Sequence, residues 1–333
     1  MPRFACAVKG IVGRDQLVVP RVPIVREAFH SSRTRTMEAP QLPGFHLIRK
    51  LGGGRSFRVW EAAAEGVSES VAVKFPRRSA LEKASTIILL RREARAARLV
   101  QHPRLIRILE SNFDGELPFL VMEYMPGESL KDRLGRFGRL SIRRAVWIAR
   151  QIAEGLSAMH RAGLVHADIK PGNVLLNPRT EVKLIDMGFA HRRGENQKLV
   201  DAGFTIGTAN YLAPELCVQP VREGPPADVF ALGATLFECL TGKVPYPAET
   251  AQDAIRLRKR RRALDLTDFR GNWPDNVVRM VRSLLAREPY ERPTAVAAVR
   301  ELVRIEVDLM SRKPAPAPVG RSLSLLPFGR LWK

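Results

Sequence analysis

The stretch Leu164-Val-His-Ala-Asp-Ile-Lys-Pro-Gly-Asn-Val-Leu-Leu176 gathers Asp168, Lys170 and Asn173 into one loop. Together they offer a proton acceptor, a cation and an amide oxygen. Eighteen residues past Asp168, Ile185-Asp-Met-Gly188 sets a second carboxylate, Asp186, at a strand end before a glycine. Asp and Asn oxygens are hard ligands of the kind magnesium takes. Nearer the N-terminus, Gly52-Gly53-Gly54 follows the run Leu47-Ile-Arg-Lys-Leu51, and glycines between two strands let backbone N–H groups approach phosphate oxygens closely. Val71-Ala-Val-Lys74 ends an apolar strand in a lysine whose buried ammonium needs an anion. Glu93, nineteen residues later, could be that anion. Taken singly, three glycines are also an ordinary hairpin turn, and a lysine and a glutamate are also ordinary surface residues.

These groups must be carried by regular elements. Phe45 to Leu51, Val71 to Phe75, Leu105 to Leu109 and Leu117 to Met122 have strand length and composition. One helix interrupts them from about Leu81 to Val100, with Ile88, Ala94, Ala97 and Leu99 as its apolar and small positions. Beyond Gly138 the pattern turns helical. Ser141 can cap a helix whose stripe is Ile142, Val146, Ala149, Ile152, Leu156 and Met159, closed by Gly163. A second helix, from Pro226 to Gly242, is apolar almost all round and belongs inside a domain. The first hundred or so residues are thus strand-rich with one helix and the remainder is helical, an α+β pattern. No repeat of solenoid period is present.

Two further segments complete the pattern, Gly207-Thr-Ala-Asn-Tyr-Leu-Ala-Pro-Glu215 and Glu288-Pro-Tyr-Glu-Arg-Pro-Thr294, with Asp228 opening the buried helix between them. In this order the chain, from about residue 45 to 310, resembles the protein kinase family, and specifically the bacterial Ser/Thr kinases that look like eukaryotic ones. The resemblance implies a bilobal kinase fold, a small antiparallel β lobe with one main helix and a larger mostly helical lobe, using ATP and magnesium on protein substrates. Asp168 would receive the substrate hydroxyl proton and Lys170 would steady the transferring group. Lys74 would hold the α- and β-phosphates and pair with Glu93, while Asn173 and Asp186 would hold magnesium. Gly52 and Gly54 would cover the phosphates. Val59 and Ala72 would wall the adenine pocket, with Met122 as gatekeeper and Glu123 to Met125 as hinge. Glu215 with Arg292, and Asp228 under the catalytic loop, would be scaffold, as would His166. Lys170 together with Thr208 resembles the Ser/Thr rather than the tyrosine branch.

Three positions depart from the family pattern. The third loop glycine is missing and Phe57 stands in a place that usually tolerates unusual dihedrals, which implies weaker nucleotide binding. Met187 replaces a phenylalanine and can pack behind the catalytic loop. Ala167 replaces the arginine that usually precedes the catalytic aspartate. That arginine is an unpaired cation until a phosphothreonine in the activation segment meets it, so the resemblance implies activity independent of activation-loop phosphorylation. Between Asp186 and Glu215 there is no serine, and the threonines are Thr205 and Thr208. Arg192 and Arg193 could still receive a phosphate on Thr205.

Composition bounds the remainder. With 333 residues, 45% hydrophobic and 27% charged, the chain can bury a large core. Its three cysteines form no metal-type pair, which points to a reducing, cytoplasmic setting without structural zinc. No apolar stretch is long enough to span a bilayer. The net charge of +21 invites anionic partners, yet it speaks to association rather than activity, and nucleic acid is not the expected partner. Residues 1–43 read as a flexible basic arm, with Met37 as an alternative start; 44–310 form the kinase domain. Residues 311–333 join a Pro/Ala linker to a basic, apolar tail that could touch a membrane surface or stay disordered. The run Arg256 to Arg262, placed after a late helix, is expected to be a solvated helix end rather than a recruiting patch. Two rival activities share some of the residues. A small-molecule phosphotransferase of the aminoglycoside-kinase type would have the Asp base but lack the 207–215 segment, and a silent pseudokinase scaffold would typically have lost Lys74, Asp168 or Asp186. Nothing in the sequence indicates an oligomeric state.

Overall fold

The computed structural model describes residues 40–66, 69–178, 181–196, 207–217, 223–247, 251–260, 263–269 and 271–311. The expected arm up to residue 39, the tail from 312, and Thr205 lie outside the described residues. The first half of the domain is a five-stranded antiparallel sheet in the order β1-β2-β3-β5-β4. Its strands are β1 (Phe45–Gly53), β2 (Phe57–Ala64), β3 (Ser70–Pro76), β4 (Ile108–Asn112) and β5 (Phe119–Glu123). Side chains alternate between the faces of a strand. In β3, Val71, Val73 and Phe75 therefore enter one apolar cluster with Leu42, Ala62, Phe119 and Val121. Ala72 and Lys74 face the other way, and Ala72 lies opposite Met122 across the β3/β5 pair.

The expected helix is two pieces, α1 (Arg78–Leu81) and α2 (Ala84–Leu99). Its inward residues include Thr86, Leu90, Glu93, Ala94, Ala96 and Ala97. Of the small and apolar positions read from the sequence, Ala94 and Ala97 are buried, whereas Ile88 and Leu99 are 51% and 42% exposed. The reason is steric: apart from Leu90, α2 lies close against its neighbours through small side chains, and Ile88 and Leu99 are turned out. The strand expected at Leu105–Leu109 begins three residues later. The Ile106 N–H donates to the Leu184 carbonyl (2.9 Å) and the Leu184 N–H to the Arg104 carbonyl (2.8 Å), so the first half of that apolar run belongs to a link between the lobes rather than to the sheet.

The second half is built on helices α3 (Leu130–Phe137), α4 (Ile142–Arg161), α5 (Pro225–Thr241), α6 (Ala251–Arg260), α7 (Asp275–Leu284) and α8 (Ala295–Ser311). Ser141 caps α4 by accepting from the Arg144 N–H at 3.3 Å, one of the orphan donors of a helix start. Val146, Ala149, Ile152, Leu156 and Met159 are all buried, with Ile142 packed at the edge of the same core. Helix α5 is buried along most of its length and ends at Gly242 in the left-handed conformation with φ +73°. Short strand β6 (Glu128–Ser129) precedes α3, and between α4 and α5 the chain forms β7 (Leu164–Val165), β8 (Val174–Leu176), β9 (Val182–Leu184) and β10 (His191–Arg192). These position the loops that follow them.

Candidate active site

The loop between β7 and β8 holds Asp168, which is 5% exposed. Its Oδ2 accepts from Lys170 Nζ (2.6 Å) and from Asn173 Nδ2 (2.9 Å), and its Oδ1 accepts from the Thr208 hydroxyl (2.7 Å). Lys170 Nζ also donates to Thr208 Oγ1 at 2.7 Å. A carboxylate oxygen has two lone-pair directions, so Oδ1 keeps one acceptor position for a further hydroxyl. Asn173 Nδ2 bonds the Asp168 carbonyl as well, at 2.8 Å. Four residue types expected to act together are thus joined by direct hydrogen bonds.

Beneath this loop lies Asp228, in the first turn of α5 and 1% exposed. The helix N-terminus favours a carboxylate there. It accepts from the backbone N–H of His166 and of Ala167, both at 2.8 Å, and its Oδ2 is 2.9 Å from His160 Nε2. Burial alone would raise its pKa, but His160, His166 and these N–H donors hold it below the usual carboxylate value. Burial pushes the His166 pKa down, against the pull of Asp228 and Asp168. His166 is therefore a neutral structural ring, its Nδ1 accepting from the Asp168 N–H at 3.3 Å. Ala167 and Asp186 both have φ +66°, the left-handed region that non-glycine residues seldom occupy. Gly207 (φ +111°) presses on the same loop: a Cβ there would meet the Ala167 carbonyl at 2.9 Å.

On the small lobe, Lys74 Nζ lies 2.6 Å from Glu93 Oε2 and 2.9 Å from Asp186 Oδ1. Burial opposes the ammonium, yet Asp186 and Glu93 outweigh it and the Lys74 pKa is raised. Glu93 is so deeply buried that desolvation raises its pKa despite Lys74. Burial pushes Asp186 up as well, but Lys74 more than offsets it and leaves its pKa low. The Asp186 carboxylate is 39% exposed, and the Asn173 amide nitrogen is committed to Asp168, which leaves hard oxygen donors on both side chains. That donor set fits magnesium. Among the described residues no group of three or more His, Cys, Asp or Glu is placed to hold a metal ion.

Val59 lies opposite Lys74 across the β2/β3 pair, Ala72 and Met122 are buried, and Met125 is 8% exposed. Glu123 is tied down through its side chain, which accepts from Lys183 Nζ (2.6 Å) and the Arg107 N–H (2.8 Å). Gly52 and Gly54 leave open space where a side chain would stand, whereas Gly53 (φ +136°) is the position that needs glycine: a Cβ would fall 2.4 Å from the Phe57 carbonyl. Phe57 opens β2 and is not among the residues with positive φ. The expectation of a strained dihedral is corrected. Its ring lies under the Lys74 ammonium, 4.9 Å from Nζ to the centroid, and packs on the cluster of Leu90, Ala94 and Leu120. Met187 is fully buried in the main core, as expected.

The scaffold pair is present too. Arg292 donates to Glu215 through both terminal nitrogens (2.6 and 2.8 Å) and to the carbonyls of Pro226, Ala286 and Arg287. The late basic run needs correction. It begins inside α6, and Arg258 is 1% exposed, its guanidinium 4.9 Å from the Tyr246 ring centroid and donating to the Leu212 carbonyl. Burial of that cation is tolerated because the aromatic face and the carbonyl receive it. Residues 261 and 262 of the run lie outside the described residues.

Comparison with known proteins fits this geometry. The family model for the protein kinase domain matches residues 45–303. The chain belongs to the protein kinase family. It is 32% identical over 268 residues, 77% of its length, to the serine/threonine-protein kinase PknA of Mycobacterium tuberculosis, and covers 61% of that protein. It is 29% identical over 269 residues to a probable serine/threonine-protein kinase, pknA2, of Bifidobacterium longum, covering 80% of this chain and 35% of the relative. Against the serine/threonine-protein kinase PknK of M. tuberculosis the identity is 31% over 302 residues, 86% of this chain and 27% of the relative. The kinase chain thus spans between about a quarter and three fifths of the length of these relatives. No helix among its described residues is long and apolar enough to cross a membrane.

Proposed function

We propose that the chain is a Ser/Thr protein kinase that transfers the γ-phosphoryl group of ATP to protein hydroxyls. The observation that carries this reading is the joined set Asp168, Lys170, Asn173 and Thr208 facing Lys74, Glu93 and Asp186 across one cleft. Asp168 Oδ1, with its remaining lone pair, receives the proton of the incoming hydroxyl. Lys170, bonded to both Asp168 and Thr208, holds the acceptor carboxylate in register and adds positive charge beside the transferring group. Thr208 belongs to the 207–215 segment, which ties the peptide-binding side to the base and supports Ser/Thr acceptors. Lys74, kept charged by two carboxylates, holds phosphate oxygens. Val59, Ala72, Met122 and the Glu123 to Met125 backbone bind the adenine, with Gly52 to Gly54 over the phosphates. Asn173 and Asp186 hold magnesium, which when bound offsets the charge on the phosphates.

Turnover without activation-segment phosphorylation is part of this reading. Ala167 leaves no cation beside Asp168 waiting for a phosphate, and the Lys74–Glu93 pair is already closed at 2.6 Å. The test is magnesium-dependent transfer of labelled γ-phosphate to a generic protein and to matched Ser, Thr and Tyr peptides. It uses enzyme co-expressed with a phosphatase and shown by mass spectrometry to carry no phosphate. Transfer to Ser and Thr peptides is expected. Absence of transfer, or turnover gained only when Thr205 is phosphorylated, overturns the respective part of the reading.

A further inference from the structure

Helix α2 carries the buried Glu93 yet is thinly anchored by apolar packing. Among its buried residues Leu90 is the one large apolar side chain; the others besides Glu93 are Thr86 and three alanines. Apolar burial scales with area, so an element packed through alanines gains little from it and lies toward the low end of local stability. The desolvated Glu93 adds a cost that Lys74 does not fully offset, as its raised pKa shows. Something else must hold the helix against the cleft.

Arg95 lies two residues past Glu93 and reaches in a different direction. Its guanidinium grips the Glu195 carboxylate with two parallel bonds, Nη2 to Oε2 at 2.7 Å and Nη1 to Oε1. Glu195 stands seven residues beyond Gly188, in the activation segment just past β10. Its Oε2 also accepts from the Arg192 N–H at 2.8 Å, and its own N–H donates to the Arg192 carbonyl at 3.1 Å. The carboxylate is therefore fixed from its own segment as well as from the helix. The Arg95 bond, assisted by the Arg192 N–H and the fields of Arg95 and Arg92, pushes the Glu195 pKa down to about 2 against the effect of burial. The charge is present at every working pH. An arginine fork on two oxygens is the arrangement guanidinium offers to a carboxylate or a phosphate. Here the anion is encoded in the chain.

We propose that Arg95 and Glu195 form a positioning clasp that fastens α2 to the start of the activation segment and keeps Glu93 on Lys74 without a phosphate. The clasp rests on the kinase reading for its consequence in turnover, but not for its effect on the helix. A single part-exposed ion pair is often worth little; Arg95 and Glu195 side chains are 42% and 31% exposed. The double fork and the third bond from Arg192 are what raise this one above that level.

The experiment uses the full chain, freed of phosphate, as wild type, Glu195→Gln, Arg95→Lys, Arg95→Glu, Glu195→Arg and the double exchange Arg95→Glu/Glu195→Arg. Two readouts are taken: amide hydrogen exchange in peptides covering residues 84–99, and kcat with KM for ATP. Glu195→Gln and the two charge reversals should lose kcat by about three- to thirtyfold, inside the range of coupling between residues in contact, and exchange faster across α2. Arg95→Lys, which keeps the charge without the fork, should fall between. The double exchange should recover most of both losses. A merely structural role would shift melting without this reciprocal rescue. The clasp is overturned if Glu195→Gln exchanges in α2 like wild type, or if the double exchange is no better than its single parents. Should wild type transfer no phosphate, the kinase reading fails, and hydrogen exchange still decides the clasp.

Discussion

The two sides of the cleft are held in different ways. The catalytic loop on the helical lobe rests on charges that are buried and bonded several times over: Asp228 meets two backbone N–H groups and His160, and Arg292 spends its fork on Glu215 and its remaining donors on three carbonyls. Helix α2 on the small lobe has one buried pair, Lys74 with Glu93, a small apolar patch and a half-exposed clasp. Asp168, proposed as the base, is therefore preset, and Lys74, proposed to hold phosphate, depends on a part that can be loosened. Control over turnover should enter from α2, while damage to the buried charges that support the helical lobe should appear first as lost stability.

The largest test of that contrast is Asp168→Asn. It keeps the shape of the loop and removes the proton acceptor, and kcat should fall by about 10²–10⁴-fold with melting unchanged, as general-base catalysis typically contributes. Lys74→Met should also lose turnover, but with a lower melting temperature, because it leaves Glu93 buried without its partner. More than about a tenth of wild-type kcat in the Asp168 variant would place the base elsewhere.

Next come the scaffold charges. Arg292→Ala leaves Glu215 buried without its partner, and breaking a buried pair from one side costs about 3–5 kcal/mol. Chemical denaturation should show this, and surviving folded enzyme should retain near-normal KM for ATP. A loss below 1 kcal/mol, in the range of exposed pairs, would mean the helical lobe is no more rigidly held than α2.

A smaller effect follows from pH. His166 is buried with its pKa held below the ordinary 6.5, so below that value the unfolded chain binds a proton that the folded chain resists. Stability should decline as pH falls from about 7. Asp228, whose folded pKa is lowered from 3.8, contributes stability that is complete above that value and is lost only as pH drops through its folded pKa. Urea midpoints measured between pH 7 and 5 should fall in wild type and fall less in His166→Asn. Equal slopes in both would remove His166 from the account.

The smallest effect is expected at Phe57. Its ring lies beneath Lys74 and against Leu90, and a cation over an aromatic face contributes roughly 0.5–2 kcal/mol according to exposure. Against the weaker nucleotide binding that the missing glycine implies, Phe57→Gly should therefore raise KM for ATP by a few-fold to about tenfold and change kcat less. An unchanged KM would show that the ring is idle.

Much of the site could be read from spacing because its residues lie in short loops between recognisable elements. Asp168, Lys170 and Asn173 share one loop, and Lys74 and Glu93 sit on adjacent elements, so their meeting follows from local structure. Arg95 and Glu195 are a hundred positions apart on the helix and in an irregular segment, and no periodicity links them. Arg258 was hidden for another reason: a run of arginines reads as solvated, and its burial depends on Tyr246 and the Leu212 carbonyl arriving from elsewhere. Ile88 and Leu99 misled because apolar periodicity reports large side chains, whereas α2 packs through its alanines. The β4 start moved because residues 104–106 bond a strand of the other lobe, a competition that local composition does not record.

The left-handed backbone at Ala167 and Asp186 has a consequence for how this centre could change. Such a conformation costs an L-residue such as Ala167 about 1–2 kcal/mol and an aspartate such as Asp186 less, and the two flank the proposed reacting groups. The centre is wound like a spring, with Asp228 and Lys74 as its latches. Glycine at 167 would relieve the tension and steady the protein as a whole, and it would also free the loop to unwind whenever Asp228 lets go. On the proposed role of Asp168, the stability lost at Ala167 is thus a safeguard on its aim, and variants selected for heat resistance at that position should lose turnover as they gain melting temperature.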